Sequence, residues 1–164
     1  MLILGIDPGL ATMGWGVIRS EKGRMEAVDY GVVLTPKSET LPVRLALLEE
    51  GVKKLFVKFR PDEVALEELF FNSNVTTAIN VAQARGVILL TCVKECGRLF
   101  EYTPLQIKQA LTGYGRADKL QMMSMVKTLL RLEKVPRPDD AADALAVALT
   151  HGQSNRMRSV FTIR

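Results

Sequence analysis

The sequence predicts a single α/β domain, built on a mixed five-stranded sheet with helices on both faces. Three observations carry this. Residues 2–35 hold short runs rich in Val, Ile and aromatics between polar turns, the mark of sequential strands. From residue 41 the apolar period changes to three and four, the mark of amphipathic helices. Short apolar runs then return at 64–66 and 99–102 between helical stretches, the alternation of an α/β protein. The chain has 164 residues, 48% apolar and 24% charged, which excludes disorder and suits one core that buries about two-thirds of the extended chain's surface.

Each element follows from local chemistry. Residues 2–6 (LILGI) read as a central strand closed by Asp7-Pro8-Gly9. Residues 14–19 and 27–35 flank the polar turn Glu21-Lys22-Gly23, a hairpin signal, so three sequential strands are expected to be antiparallel. Leu41, Leu45, Leu48, Val52, Leu55 and Phe59 form one side of a helix ended by Pro61. Val64-Ala65-Leu66 is a short strand closing on Glu67-Glu68, and the crossover helix before it implies pairing parallel to the first strand. Val75, Ala78, Ile79, Ala82 and Arg85 recur at helical spacing after a cap at Asn72 or Ser73. Residues 87–93 either extend that helix or form a strand; Gly97, placed as a stop, favours one long helix.

Residues 99–102 are the fifth strand, and Thr103-Pro104 caps a helix over 104–111 that Gly113-Tyr114-Gly115 breaks. The next helix is expected from near Asp118 to Leu132, with Met122, Met125, Val126, Leu129 and Leu130 on its packed face. Pro136 and Pro138 separate it from a last helix over 139–151, where Ala141, Ala142, Leu145, Ala148 and Leu149 face inward and the small residues allow close approach to the sheet. Periodicity stops at 152, so residues 1–151 are the expected domain and 152–164 a flexible tail.

No apolar run reaches the 18 or so residues of a membrane span. The N-terminal apolar stretch lacks a preceding basic region and is interrupted by Asp7, so it reads as a buried strand and not a secretory signal. A cytoplasmic protein without membrane association is expected. Cys92 and Cys96 have no Cys or His partner at metal-ligand spacing and read as buried or half-buried thiols. The net charge of +4 permits nucleic-acid binding and proves nothing alone. Its distribution says more. Between Tyr102 and Arg137, Lys108, Arg116, Lys119, Lys127, Arg131, Lys134 and Arg137 stand against only Asp118 and Glu133, a net +5.

Four carboxylates stand out by position. Asp7 ends the first strand and Glu67 the fourth; Asp140 and Asp143 lie three apart in the first turn of the last helix. In open α/β sheets the crevice beyond the strands' carboxyl ends is the usual site. Singly, each acid has a plain reading as a turn, a cap or a solvated strand end. Asp143 is the hardest to dismiss, because it interrupts the small apolar run Ala-Ala-Asp-Ala-Leu-Ala. Together they would form an oxygen-only cage that suits Mg²⁺, with Mn²⁺ as substitute, and not zinc. Two such ions about 4 Å apart fit phosphodiester hydrolysis. The loop 112–119 runs into a helix N-terminus, where backbone amides with Lys119 and Arg116 could seat a phosphate, although it is not a Walker loop. Phe70-Phe71 lies just past the strand end; one ring could stack on an unpaired base, while core packing is the safer reading for Phe71. His151, at the end of the last helix, is expected to meet terminal carbonyls.

The ordered set of motifs resembles the crossover junction endodeoxyribonuclease family, RuvC, over residues 1 to about 151. The matching residues are Gly5-Ile6-Asp7-Pro8-Gly9, Gly14-Trp15-Gly16-Val17, Glu67, Phe70, Gln83-Ala84-Arg85-Gly86, Lys108, Gly113, Gly115, Lys119, Pro138-Asp139-Asp140-Ala141-Ala142-Asp143-Ala144-Leu145-Ala146 and His151. The resemblance implies a ribonuclease-H-like fold with sheet order 3-2-1-4-5 and only the second strand antiparallel to the rest. It implies catalytic, metal-binding roles for Asp7, Glu67, Asp140 and Asp143, a base-stacking Phe70, and Lys108 and Lys119 beside the scissile backbone. It further implies a homodimer that nicks opposed strands of a four-way Holliday junction and works with the branch-migration proteins RuvA and RuvB. Glu68 departs from the Gln that commonly follows the catalytic Glu. Two other functions are weighed against this one: a ribonuclease-H-like nuclease for another nucleic acid, and a junction-binding protein without turnover.

Overall fold

The computed structural model describes residues 1–69, 75–154 and 162–163. Strands β1 (Leu2–Asp7), β2 (Thr12–Glu21) and β3 (Arg24–Leu34) are followed by α1 (Leu41–Phe59), β4 (Glu63–Glu67) and α2 (Val75–Glu95). Strand β5 (Leu99–Tyr102) and helices α3 (Pro104–Thr112), α4 (Lys119–Leu129) and α5 (Asp139–Gln153) complete the chain. The sheet order is β3-β2-β1-β4-β5. β1 pairs antiparallel with β2 and parallel with β4; β2–β3 is antiparallel and β4–β5 parallel. Only β2 therefore runs against the others, as expected.

The β2–β3 turn places Lys22 at φ 48° and Gly23 at φ 79°. Two successive positive φ angles match the right-handed twist of a tight hairpin, and Gly23 meets that demand without strain. The stretch 87–93 resolves as helix, within one continuous α2. Both α3 and α4 begin with capping boxes, Thr103 with Gln106 and Asp118 with Gln121. α4 ends at Leu129, three residues before the expected Leu132, because Arg131 turns left-handed at φ 54°.

The alternation of strand side chains divides the core in two. Leu4, Ile6, Val64 and Leu66 pack with Leu48, Val52 and Phe56 of α1 and with Ala84, Ile88 and Cys92 of α2. Ile3, Ile18, Ala65, Phe100 and Tyr102 face α5, which is covered in turn by α3 and α4. α5 is the central helix, with Ala141, Ala144, Leu145, Ala148 and Leu149 all at or near zero exposure.

His151 is a correction. The helix continues two residues past it, so its ring faces inward and not toward terminal carbonyls. It is wholly buried, with Nδ1 2.7 Å from the Tyr102 hydroxyl and Nε2 2.8 Å from Glu63 Oε2. Near the C-terminus, the Ile163 N–H donates to Leu99 O at 3.1 Å, beside a bridge between Thr162 and Phe100.

Candidate active site

Asp7 and Glu67 are brought together by parallel pairing. Ile6 lies opposite Leu66, so the next residues along, Asp7 and Glu67, stand side by side where both strands end. Period two places them on the α5 side, with Gly5 and Ala65. The other two acids arrive through a glycine. Gly14 is the β2 partner of Asp7, and a Cβ there would fall 2.0 Å from Asp140 O. Gly5 is equally tight, 2.1 Å from Ala144 O. The bare backbone at these positions lets α5 lie directly on the sheet, with Asp140 and Asp143 of its first turns over the ends of β1 and β4.

The electrostatics register this convergence. Burial, followed by the charges of Glu67, Asp143 and Asp140, pushes the Asp7 carboxyl up to about 7, against the opposing pull of Lys119. Burial and the charge of Asp143 push Glu67 up to about 7, and Lys108 opposes. Asp143 is also raised, mainly by burial, although Lys119 lowers it. Burial, like charge and hydrogen bonding are the three levers here, and the first two dominate.

Basic groups flank the acids. Lys119, the first residue of α4, lies 3.2 Å from Asp139 and 3.5 Å from Asp143. Burial works against its charge, yet the hydrogen bond to Asp139 and the charge of Asp143 hold its ammonium above the usual range. Asp139 also pairs with Arg137, and the hydrogen bond from Lys119 holds its carboxyl below the usual range. Lys108, on α3, is half-buried and acts on Glu67. Arg116 is exposed in the loop that joins α3 to α4. Phe70 and Phe71 lie outside the described residues, so the stacking assignment is not placed.

All four acids offer hard oxygen donors in a half-buried crevice whose mutual repulsion a divalent cation would relieve, so the donor chemistry fits Mg²⁺ or Mn²⁺. Among the described residues, no three His, Cys, Asp or Glu side chains are already gathered as an ion cage. Four carboxylates that repel one another, one of them engaged by Lys119, account for that spacing. The contact of Asp139 with Lys119 has no sign in the sequence, because nothing in the local pattern pairs α5 with the start of α4.

The raised carboxyls set the pH dependence of the metal-free protein. A folded pKa above the unfolded value gives stability that is complete below the unfolded carboxylate pKa, near 4, and is lost as pH rises through about 7. In chelator, the Tm is expected to fall by several degrees between about pH 5 and about pH 8. Asp7→Asn should flatten much of that slope. Calorimetry across the window measures both, and a wild-type Tm that rises over it contradicts the electrostatics.

Residues 3–151 match the family described as crossover junction endodeoxyribonuclease RuvC. A protein of that name from Rubrobacter xylanophilus is 58% identical over 156 residues, covering 95% of this chain and 87% of its own. Another, from Alkaliphilus oremlandii, is 51% identical over 164 residues and the full length of both chains. Among solved structures, Thermus thermophilus RuvC in complex with a Holliday junction substrate superposes with a TM-score of 0.89 at 34% identity, covering 99% of this chain and 100% of that one.

Proposed function

We propose that this chain, which belongs to the crossover junction endodeoxyribonuclease RuvC family, resolves four-way DNA junctions by two symmetric, metal-dependent hydrolyses of phosphodiester bonds. The observation that carries the chemistry is the pairing of Asp7 and Glu67 at adjacent strand ends beneath Asp140 and Asp143, with both strand-end carboxyls pushed up to about 7. These four side chains would hold two Mg²⁺ or Mn²⁺ ions per site. Bound there, the ions supply water activation and charge stabilisation at the leaving 3′ oxygen.

The chain's own residues do the rest. Asp7 and Glu67 sit on rigid strand ends, and the packed first two turns of α5 hold Asp140 and Asp143 over them, so the acids are oriented before substrate arrives. Lys119 and Lys108 bring positive charge to the rim, where phosphate oxygens of the scissile strand would lie; Arg116 extends that charge along the α3–α4 loop. Phe70, in the segment that follows Glu67, is the candidate for stacking on an unpaired base. Among the described residues no helix is long and apolar enough to cross a membrane, which accords with a protein acting on DNA in the cytoplasm.

Two opposed nicks need two sites. The outer face of α2 supports a homodimer: Ile79, Ala82, Gly86, Leu90 and Val93 form an exposed stripe at spacings of three and four. Ile79 is 54% exposed and Leu90 and Val93 are each 53% exposed, while Gly86 has open space about it. A small residue mid-stripe lets a second copy of α2 approach closely, and a two-fold protein matches a two-fold junction. Leu90→Glu is expected to yield monomers by sedimentation and to abolish paired nicking with the fold intact; a stable dimer of this variant would remove α2 from the interface. Family membership likewise supports hand-over of the junction from the branch-migration proteins RuvA and RuvB.

Substrate competition tests the reading. Four-way junction cleavage should persist in the presence of excess RNA–DNA hybrid of equal length. Cleavage of the hybrid with no cleavage of the junction would favour a ribonuclease instead.

A further inference from the structure

The contacts that bring α5 close to the sheet do little to fix its position lengthwise. Gly5, Gly14 and Gly16 offer bare backbone beneath it, where added Cβ atoms would stand 2.1 Å from Ala144 O, 2.0 Å from Asp140 O and 2.7 Å from the Leu145 side chain. Ala144 and Ala148 lie against Gly5. Packed helices take their place from side-chain ridges seated in grooves, and glycine and alanine make only shallow ones. Leu145 and Leu149 are fully buried, but apolar burial is not directional. The position matters, because this helix carries Asp140 and Asp143 over Asp7 and Glu67.

A directional restraint stands at the other end of the helix. His151 lies two turns beyond Asp143, about 12 Å along the axis. Its Nδ1 is 2.7 Å from the hydroxyl of Tyr102, on β5, and its Nε2 is 2.8 Å from Oε2 of Glu63, at the start of β4. A carboxylate only accepts, so Nε2 donates to Glu63. Phe100 packs on the imidazole, with ring centroids 4.3 Å apart. Glu63, Tyr102 and His151 are all buried. One ring is thus pinned to two strands at once. Tyr102 is also the register partner of Glu67, so the contact refers α5 to a strand end that carries one of the four acids. Hydrogen bonds weaken steeply as alignment is lost, and a satisfied buried network rigidifies its surroundings and specifies one arrangement.

We propose that Tyr102, His151 and Glu63 form an axial lock on α5, and that His151 is a positioning residue that sets where Asp140 and Asp143 stand over Asp7 and Glu67. Two turns from the nearer of the two acids, it acts through the helix and not on the reacting atoms. Release of the lock loosens the acid set, whereas the basic groups Lys108, Arg116 and Lys119 lie on α3, α4 and the loop between them. Metal affinity and turnover therefore change more than DNA affinity. The inference rests on the metal-dependent reading of the four acids above.

Two small changes test it in the full-length protein. Tyr102→Phe removes a single oxygen, and His151→Gln keeps a donor for Glu63 while giving up the ring nitrogen that meets Tyr102. In each, Mn²⁺ titrated into the metal-free protein should bind about tenfold more weakly, as for residues that orient metal ligands. Junction turnover at saturating DNA should fall about tenfold while junction affinity stays nearly unchanged. The double variant should be no worse than either single one, because both remove the same contact. Val52→Ala, in the core on the other face of the sheet, lowers stability without touching α5 and should leave Mn²⁺ affinity and turnover at wild-type values. Wild-type Mn²⁺ affinity in folded Tyr102→Phe overturns the lock, as do losses that add in the double variant or that Val52→Ala reproduces. If His151→Gln does not fold, Tyr102→Phe decides by the same measures. A wild type that cleaves no junction, with Mn²⁺ affinity weakened in the variants as described, overturns the resolvase reading and supports the lock. A wild type that binds no Mn²⁺ overturns both.

Discussion

Asp7→Asn is expected to lower junction cleavage by about a thousandfold or more while leaving junction affinity nearly unchanged. Asp7 meets all three other acids electrostatically, and burial is the largest cause of its raised pKa. Its carboxylate is thus the centre of the charge that divalent ions would neutralise. Asparagine keeps the size and removes the charge, so the loss should appear in turnover and not in binding. The same change removes repulsion from the metal-free protein. Near pH 8 and in chelator, the variant should melt above wild type, by an amount on the order of 2 kcal/mol in stability. Reduced activity with increased stability is not what a merely misfolded variant would give. Cleavage assays, junction titrations and melting curves on one preparation separate the two.

Gly14→Ala should be nearly as damaging, although it touches no substrate. The added Cβ would stand 2.0 Å from the backbone oxygen of Asp140, and a backbone atom cannot rotate away. α5 must lift from β2 at the turn that carries two of the four acids. Misplacement by about 1 Å can cost about a hundredfold in rate, and overpacking of this kind costs about 1–3 kcal/mol or more in stability. Gly23→Ala is the control. Gly23 has φ 79° with nothing near its would-be Cβ, so alanine there should cost about 1 kcal/mol of backbone strain and leave cleavage unchanged. Equal loss of activity in both variants would refute the argument that glycines seat the catalytic helix.

The four acids were legible in the sequence because each lies where local pattern marks a boundary: a strand end before Pro-Gly, a strand end before a charged pair, and the first turn of a small-residue helix. The alternation of strands and helices is legible too, and of the two alternatives for residues 87–93 the long helix, favoured by the stop at Gly97, is the one observed. What local pattern could not supply was pairing across the chain. The sheet order came with the family resemblance, since spacing along one strand carries no record of its neighbours. The buried contacts of His151 with Tyr102 and Glu63 join residues 49 and 88 positions apart. His151 looked like a helix end because the apolar periodicity stops at 152, whereas α5 runs on to Gln153. Lys119 was singled out for the helix N-terminus it shares with Arg116, yet its contacts with Asp139 and Asp143 depend on how α4 packs on α5. The free face of α2 was invisible for a related reason, because a helix apolar on two sides discloses which one the core leaves uncovered only after folding.

The most direct measurement is strand-resolved mapping of nicks on a four-way junction labelled on each strand in turn, with wild type and Asp7→Asn, in Mg²⁺ and in chelator. Wild type in Mg²⁺ should give two nicks at symmetric positions on opposed strands, with ends that ligate, and both should vanish in chelator and in the variant. Nicks that persist in chelator or in Asp7→Asn, or that fall on a single strand without a symmetric counterpart, would contradict a paired, four-carboxylate metal site acting on a two-fold junction.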